Sequence, residues 1–431
     1  MGVMNVAAYG FTIIAARLLG PGDFGAFAAL MGVLIVIMVG SLALQATAAR
    51  RIAATPEKVE QIESVILRVG MQASIAMGAL CLVLAPLIDR VVRLDSLATA
   101  ALVAFAAAPL TMMGAQAGIL QGERRWRPLA GVYLAAGVPR LVIGTAFIVI
   151  RPTEFAALLG VAVAAYAPVL VGWLALRHPR QPGERSTEHN TRAVWNETFH
   201  NSNALLAFFA LSNVDILVAR NVLDEHQAGL YAGGLILVKA VLFLPQFVVV
   251  LAFPSMSNDS AARATLFLAL AVIVLLGLLT SAGVWLLSAL AVVFVGGSQY
   301  AELQGDLWLF AVLGTVLAVL QLLIYSVLAR QSRRAVILVW AALAGVVLAG
   351  RLADSVEGLL VVVLSIDFTL LVALLAVSLL RMRTAASAAP QPDRSSPVAE
   401  HSGGRTRSVG GSVPAAPGAD GHVQGHGQLR G

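Results

Sequence analysis

The sequence has little charge, one cysteine and almost no lysine. Only 12% of its 431 residues are charged, whereas 59% are hydrophobic. That charged fraction is about half of what a soluble globular domain carries, and such a chain cannot cover itself with a polar surface in water. The sequence therefore predicts a polytopic membrane protein. Cys81 lies inside a hydrophobic run, which excludes a disulfide framework and a thiolate metal site.

The sequence also lacks the motifs of catalysis and cofactor binding. It contains no glycine-rich phosphate loop, no set of nucleophile, histidine and acid, and no metal-ligand spacing. His422 and His426 fit a metal by spacing alone, but they lie in a polar, low-complexity segment that is better explained as solvated chain. We therefore predict that the protein is not an enzyme and that it has no cofactor and no metal.

Twelve stretches are long and apolar enough to cross a bilayer, which takes about 20 residues. These predicted spans, numbered 1 to 12, are residues 2–19, 24–46, 65–88, 97–119, 129–150, 155–176, 201–219, 228–251, 264–288, 304–328, 335–351 and 358–380. Span 1 is short, so either it barely crosses the bilayer or the chain begins upstream of Met1. The apolar stretch 264–295 is longer than one span needs, so it either tilts or runs along the interface.

The distribution of arginine and lysine predicts the orientation in the membrane. If the N-terminus is cytoplasmic, the inner loops hold fourteen basic residues and the outer loops hold six, namely Arg17, Arg90, Arg93, Arg151, Arg220 and Arg351. An even number of spans then places both termini in the cytoplasm. The basic residues flank the membrane, and we expect no nucleic-acid partner. Because the composition is typical of a GC-rich bacterial genome, the expected location is the bacterial plasma (inner) membrane.

One short turn occurs twice in the sequence. ARLLGPGDFGAFA at 16–28 and ARNVLDEHQAGLYA at 219–232 both begin with Ala-Arg, cross a polar turn and resume with Gly, an apolar residue, an aromatic residue and Ala. Six spans separate the copies, so the two halves have the same orientation and a pseudo-two-fold axis along the membrane normal. The predicted domains are an N-terminal six-helix lobe (1–176), a cytoplasmic linker (177–200), a C-terminal six-helix lobe (201–383) and a disordered cytoplasmic tail (384–431).

These segments resemble the polysaccharide flippases of the multidrug/oligosaccharidyl-lipid/polysaccharide exporter superfamily. ARLLGPGDFGAFA is similar to the first turn of that family, and residues 213–245, NVDILVARNVLDEHQAGLYAGGLILVKAVLFLP, are similar to its seventh and eighth spans. GILQGERRW at 118–126 and VGGSQYAEL at 295–303 also match segments of the family. The resemblance implies two six-helix lobes and a polyprenyl-pyrophosphate-linked glycan as substrate, with the bilayer and a glycan polymerase or glycosyltransferases as partners.

Five ionisable residues lie inside the predicted spans: Arg68, Arg140, Asp215, Lys239 and Asp367. An intramembrane charge costs at least ~2.5 kcal/mol at the bilayer centre and usually faces a cavity or a partner. Arg68 lies one turn from the cytoplasmic end of its span, where its side chain can reach the interface. Asp367 fits a structural hydrogen bond and a functional role equally well.

Lys239 is the first candidate for substrate binding, because it lies near the centre of span 8, where the repeat places Ile35 in span 2. The alternative is an ion pair with Asp215, but the two differ in depth by about 9 Å at 1.5 Å per residue. Asp215 is therefore the candidate for ion coupling, and its protonation would change the field at Lys239.

Three arginines complete the candidate substrate-binding set. Arg140 follows Gly137-Val138-Pro139, which is expected to interrupt the helix and to form a polar notch suited to a phosphate. The alternative for Arg140 is bonding to nearby carbonyls. Arg17 and Arg220, at the two repeated turns, are interpreted as anchors of helix ends at the outer interface or as gating residues.

Three functions compete for this sequence. The first is a flippase for a lipid-linked oligosaccharide that works by alternating access and is coupled to an ion. The second is a drug or small-metabolite exporter of the same superfamily, which is disfavoured because the six N-terminal spans contain no Asp or Glu. The third is a membrane-embedded glycan polymerase, which would need acids or histidines on a sizeable outer loop. The outer loops here are too short for that.

Overall fold

The computed structural model describes residues 2–177, 190–242, 259–328 and 333–387. Within these ranges the chain forms helices and no strands, which confirms the predicted all-α fold. The helices are Gly2–Ala54, Val59–Val83, Ala85–Val92, Leu97–Gly122, Trp126–Ile150, Glu154–Ala164, Tyr166–Leu176, Thr191–Val222, Glu225–Leu242, Asp259–Leu286, Ser288–Val295, Leu307–Leu328, Arg333–Ala349 and Val356–Ser387.

The described helices account for the twelve predicted spans. Ten helical segments are long and apolar enough to cross a membrane. The segment Gly2–Ala54 counts once among them but holds spans 1 and 2, because Gly20 adopts φ 76° and ψ 169° and kinks the helix between them. Only glycine reaches this backbone conformation readily, so the first copy of the turn depends on Gly20. Span 8 is the remaining one; its described part is the helix Glu225–Leu242, and residues 243–251 of the prediction lie outside the described residues.

Spans 3 and 9, which occupy the same place in the two halves, are broken in the same way. Each ends in a separate helix of eight residues, Ala85–Val92 in span 3 and Ser288–Val295 in span 9. The long apolar stretch 264–295 therefore forms one broken span, which explains its length. The break supplies a second structural repeat, independent of the turn that the sequence shows.

Span 7 begins before the predicted membrane crossing. Its helix starts at Thr191, where the Asn190 side chain accepts a hydrogen bond of 2.8 Å from the Ala193 amide. Glu197, further along the same helix, forms ion pairs with Arg50 and Arg51 at the inner end of span 2, and the Arg51 pair is 2.6 Å long. The N-terminal extension of span 7 is thus fixed against the N-terminal half, on the side predicted to be cytoplasmic.

The helix of span 5 is continuous, and the interruption predicted before Arg140 does not occur. Trp126–Ile150 is a single α-helix with Pro139 inside it. Span 1 packs closely against it, since a Cβ on Gly137 would lie 2.7 Å from the Cα of Met4. Proline is tolerated inside membrane helices where packing compensates for the lost hydrogen bond.

The apolar core extends through both halves, and residues Met1–Arg383 form one compact unit. Phe24 of the first turn packs edge-on against Tyr300 of the C-terminal half, with 6.4 Å between ring centroids. The boundaries of the two predicted lobes remain a prediction, as do the linker and the tail. Residues 178–189 of the linker and 388–431 of the tail lie outside the described residues.

Candidate functional site

The candidate site is a cavity of about 320 Å³ between the two halves of the chain. Its wall is mainly apolar and is contributed by spans 1, 2, 4, 5 and 6 of the first half and by spans 7, 8 and 10 of the second. Two of the predicted site residues, Arg140 and Lys239, line it from opposite halves. No Asp or Glu belongs to the lining formed by the described residues. The cavity is therefore apolar and cationic.

Lys239 has no hydrogen bond or ion pair within 4 Å among the described residues. Its burial has no compensating contact, although Asp215 attracts it and Arg140 repels it at longer range. The predicted difference in depth between Lys239 and Asp215 thus agrees with the structure, whose described part contains no direct pair. Ile35, the predicted counterpart of Lys239 in the first half, lines the same cavity.

Arg140 is held by weak contacts only. Its Nη2 donates to the Met31 sulfur at 3.5 Å, and its guanidinium lies 5.5 Å from the centroid of the Phe11 ring. The Nε atom is buried without a hydrogen-bond partner among the described residues. Contacts with sulfur and an aromatic ring are weak for a guanidinium, at roughly 0.5–2 kcal/mol for the ring, so the fork of donors remains available to an anion.

Asp215 lies behind the cavity wall, inside the C-terminal half. Its carboxylate accepts a hydrogen bond of 2.8 Å from the Ile216 amide and one of 3.2 Å from the Tyr231 hydroxyl. Asp367 of span 12 is near enough to interact electrostatically with both Asp215 and Tyr231, and one of its oxygens is buried without a partner in the described part of the chain. These three side chains form a buried acidic cluster beside the cavity.

Arg220 lies outside the cavity lining and bonds the opposite half. Its Nε and Nη2 donate to the carbonyls of Val92 (2.9 Å) and Arg93 (2.6 Å), at the end of the short helix of span 3. Arg93 in turn donates to the Asn221 carbonyl, and the Asn221 amide donates to the Val91 carbonyl. The last carbonyls of a helix have no partner within the helix, and a cation is favourable there.

Arg17 makes the corresponding contact from the N-terminal half to the C-terminal half. Its Nη2 donates to the Val293 carbonyl at 2.6 Å, near the end of the short helix of span 9. The Gln299 amide donates to the carbonyls of Ala16 and Arg17, both at 3.0 Å, and the Tyr300 hydroxyl donates to Ala16 at 3.3 Å. Each of the two arginines therefore ties the end of its own span to the opposite half. Substrate binding by Arg17 or Arg220 remains a prediction.

The two copies of the repeated turn meet each other. A Cβ on Gly25 would lie 3.1 Å from the Cα of Gly229, and a Cβ on Gly229 would overlap the Pro21 carbonyl. Below this contact, the Tyr9 hydroxyl donates to the Ile236 carbonyl at 2.7 Å and joins spans 1 and 8 beside the cavity. The turn that is repeated in the sequence thus forms the contact between the halves on the predicted outer side.

The cavity also contains uncharged polar residues that the sequence did not predict, and Asn213 is the one with an unpaired buried atom in the described part of the chain. Asn213 lines the cavity, and its side-chain oxygen is buried without a hydrogen-bond partner among the described residues, while its amide donates to Phe209 at 2.9 Å. It lies two residues before Asp215 in the NVDILVAR segment, so the signal was a second polar residue in an apolar span. The sequence alone did not mark Asn213 as a cavity residue, because its side chain is uncharged.

Comparison with known proteins gives one family match in sequence. Residues 1–260 match the model of a family described as polysaccharide biosynthesis protein. No curated protein sequence matches the chain.

Several solved structures share the fold. An inward-facing multidrug resistance MATE transporter of the MOP superfamily aligns with a TM-score of 0.71 and 13% identity, over 90% of this chain and 96% of the other. The lipid II flippase MurJ, in an inward closed conformation, aligns with a TM-score of 0.68 and 12% identity, over 87% and 85%. A MOP superfamily transporter from Pyrococcus furiosus, described as having a binding pocket of reverse polarity, aligns with a TM-score of 0.58 and 14% identity, over 90% and 93%. The fold is that of the MOP transporters, as the sequence resemblance implied.

Proposed function

Because the chain belongs to the polysaccharide biosynthesis protein family, we propose that it is a flippase that moves a polyprenyl-pyrophosphate-linked oligosaccharide across the bacterial plasma membrane. The single observation that carries this proposal is the pair of cations, Arg140 and Lys239, that lines one cavity from both halves of the chain without an acidic partner in the described lining. Flipping such a lipid requires a polar path for its phosphates through the hydrocarbon region. Two cations inside the membrane provide that path.

The chemistry of each cation suits a phosphate. The guanidinium of Arg140 offers several donors in a fixed plane, whereas the ammonium of Lys239 is a compact charge on a flexible stem. Burying a charge without a partner is unfavourable, so both cations gain when an anion enters the cavity. Asn213 adds an uncharged polar group to the same wall.

The size and polarity of the cavity suit part of such a substrate. A volume of about 320 Å³ is at the lower end of the range for ligand pockets, roughly 300–1,000 Å³. We propose that it holds the pyrophosphate and the sugar next to it. The apolar wall, which includes Met31, Phe27 and Leu34, then faces the polyprenyl chain.

Export of a drug is the second candidate function, because solved multidrug transporters share the fold. A cationic drug is a poor fit for this cavity. Arg140 and Lys239 would repel it, and the described lining offers no carboxylate to attract it. An anionic or neutral small molecule remains compatible with the geometry, which makes the substrate class the first property to test.

We propose that the buried acidic cluster of Asp215, Tyr231 and Asp367 couples transport to an ion. Asp215 and Asp367 are both buried and repel each other electrostatically, and a bound cation or proton would relieve that repulsion. Asp215 contacts Ile216 and Tyr231, on the helices of spans 7 and 8, so a change in its charge reaches the helix that carries Lys239. The coupling ion is supplied from one side of the membrane.

The proposal is tested in vesicles that contain the purified protein and a fluorescent polyprenyl-pyrophosphate-linked sugar. An impermeant quencher reaches the outer leaflet only, so flipping appears as a gradual loss of the protected signal. We expect the protein to accelerate this loss for the glycolipid and not to transport a fluorescent lipophilic cation. Transport of the lipophilic cation without flipping of the glycolipid would contradict the proposal and favour the exporter.

Topology is a separate prediction, which rests on the excess of inner basic residues. In a Cys81→Ala background, cysteines at Asp95 and Glu302 should react with an impermeant thiol reagent added to intact cells, because both sites are exposed in predicted outer loops. A cysteine at Glu57, exposed in the predicted inner loop, should react only after the cells are permeabilised. Labelling of Glu57→Cys in intact cells would reverse the proposed orientation and place the termini outside.

A further inference from the structure

The two copies of the repeated turn carry hydrogen bonds between the halves, and the arginines that form them lie outside the cavity lining. Four hydrogen bonds tie the end of span 1 to the C-terminal half, and four tie the end of span 7 to the N-terminal half, within the described part of the chain. Both sets involve an arginine that follows an alanine, and both reach the short helix that ends the third span of the opposite half. The contacts are therefore reciprocal.

We propose that the two repeated turns form an outer gate, which is closed in this structure. Arg17 and Arg220 are its latches, because each holds its own turn to the opposite half by hydrogen bonds. Gly25 and Gly229 form the backbone contact between the two turns. This gate rests on the proposed function and deepens it, because a carrier that works by alternating access must close its outer side while the cavity is loaded from the inner side. The gate lies between the cavity and the predicted outer surface.

The chemistry of the latches suits a contact that opens and closes repeatedly. Each arginine hydrogen-bonds backbone carbonyls rather than a carboxylate, and Arg220 interacts with Asp95 and Glu154 of the opposite half only at longer range. The carbonyls of Val92, Arg93 and Val293 lie at helix ends, where water can replace the arginine when the halves separate. A salt bridge at the same place would bind more tightly and would leave two charges to be solvated.

The glycine contact decides how closely the halves approach. Gly229 packs on the Pro21 carbonyl so tightly that a side chain cannot fit, and Gly25 has the Gly229 backbone within van der Waals distance. Gly22 lies three residues from Gly25 in the same turn, but a Cβ on Gly22 would have no neighbour within 4 Å among the described residues, and its φ is not positive. The sequence thus offers a glycine that the gate requires and a nearby glycine that it does not.

The experiment measures access to the cavity from outside. A Ser212→Cys probe, whose position lines the cavity, is placed in the Cys81→Ala background and treated with an impermeant maleimide on intact cells. With the wild-type gate, labelling is slow. Gly229→Leu should raise the labelling rate roughly tenfold or more, because the closed state is sterically blocked and the population shifts to the open one. Gly22→Leu is the matched control and should label at the wild-type rate.

A second variant keeps the test valid if Gly229→Leu fails to fold. Arg17 is exposed, so Arg17→Ala should insert normally and raise labelling about tenfold through loss of one charge-assisted hydrogen bond. The proposal is overturned if the folded variants label as slowly as wild type, or if Gly22→Leu has the same effect as Gly229→Leu. The labelling assay uses no substrate, so it tests the gate independently of the proposed function. If labelling responds as expected but the protein flips no glycolipid, the proposed function fails and the gate does not.

Discussion

Replacing Lys239 with alanine should reduce glycolipid flipping by about ten- to a hundredfold, since a hydrogen bond to a charged group contributes roughly 1.5–3 kcal/mol. Protein abundance should be unchanged, because Lys239 forms no ion pair among the described residues whose loss would unfold the helix bundle. Lys239→Arg keeps the charge with a different reach and should retain part of the activity. The measurement is the rate of signal loss in the vesicle assay.

The double variant Lys239→Ala with Asp215→Asn separates a binding role from a structural one. If the two residues formed a structural pair, neutralising both would restore stability and function together. A cation that binds substrate predicts no recovery. Arg68→Ala is the control for removal of a cation as such, because Arg68 is exposed near the inner end of span 3. Wild-type flipping by the double variant would assign Lys239 to a structural pair.

Asp215→Asn should abolish transport that depends on an ion gradient. Asparagine keeps the size, its Oδ1 can still accept from the Ile216 amide, and its Nδ2 can donate to the Tyr231 hydroxyl oxygen, so the local fold should persist. What is lost is the charge that a proton or cation neutralises, and the labelled glycolipid should then only equilibrate between the leaflets. The measurement compares flipping with and without an imposed proton or sodium gradient.

Three further variants serve as comparisons for Asp215→Asn. Asp367→Asn should have a similar effect, because its carboxyl interacts with that of Asp215. Asp354→Asn is the control and should not, because Asp354 is exposed, in a loop that is predicted to be outer. Tyr231→Phe removes one hydrogen bond of 3.2 Å to Asp215 and should weaken the coupling without abolishing it. Gradient-driven flipping by Asp215→Asn at the wild-type level would exclude this cluster as the coupling site.

The sequence by itself determined the class of protein and the number and order of its spans. Length and hydrophobicity are local properties, and a bilayer imposes a length of about 20 apolar residues on each crossing. The repeat was also readable, because a polar turn with Ala-Arg and Gly at similar positions stands out in an apolar sequence. The five intramembrane charges were identified for the same reason, since each differs from its neighbours.

Only the tertiary structure decided what each of these charges contacts. Lipid-facing and buried helix surfaces are both apolar, so the sequence pattern does not show which side of a membrane helix faces a cavity. Packing places Arg140 and Lys239, which are 99 positions apart in the sequence, on one cavity wall, and it places Asp215 behind that wall. The structure also shows that span 5 is continuous through Pro139. The crossed contacts of Arg17 and Arg220 join residues more than 120 positions apart, and their partners are backbone carbonyls, which every residue type presents and no sequence motif can mark.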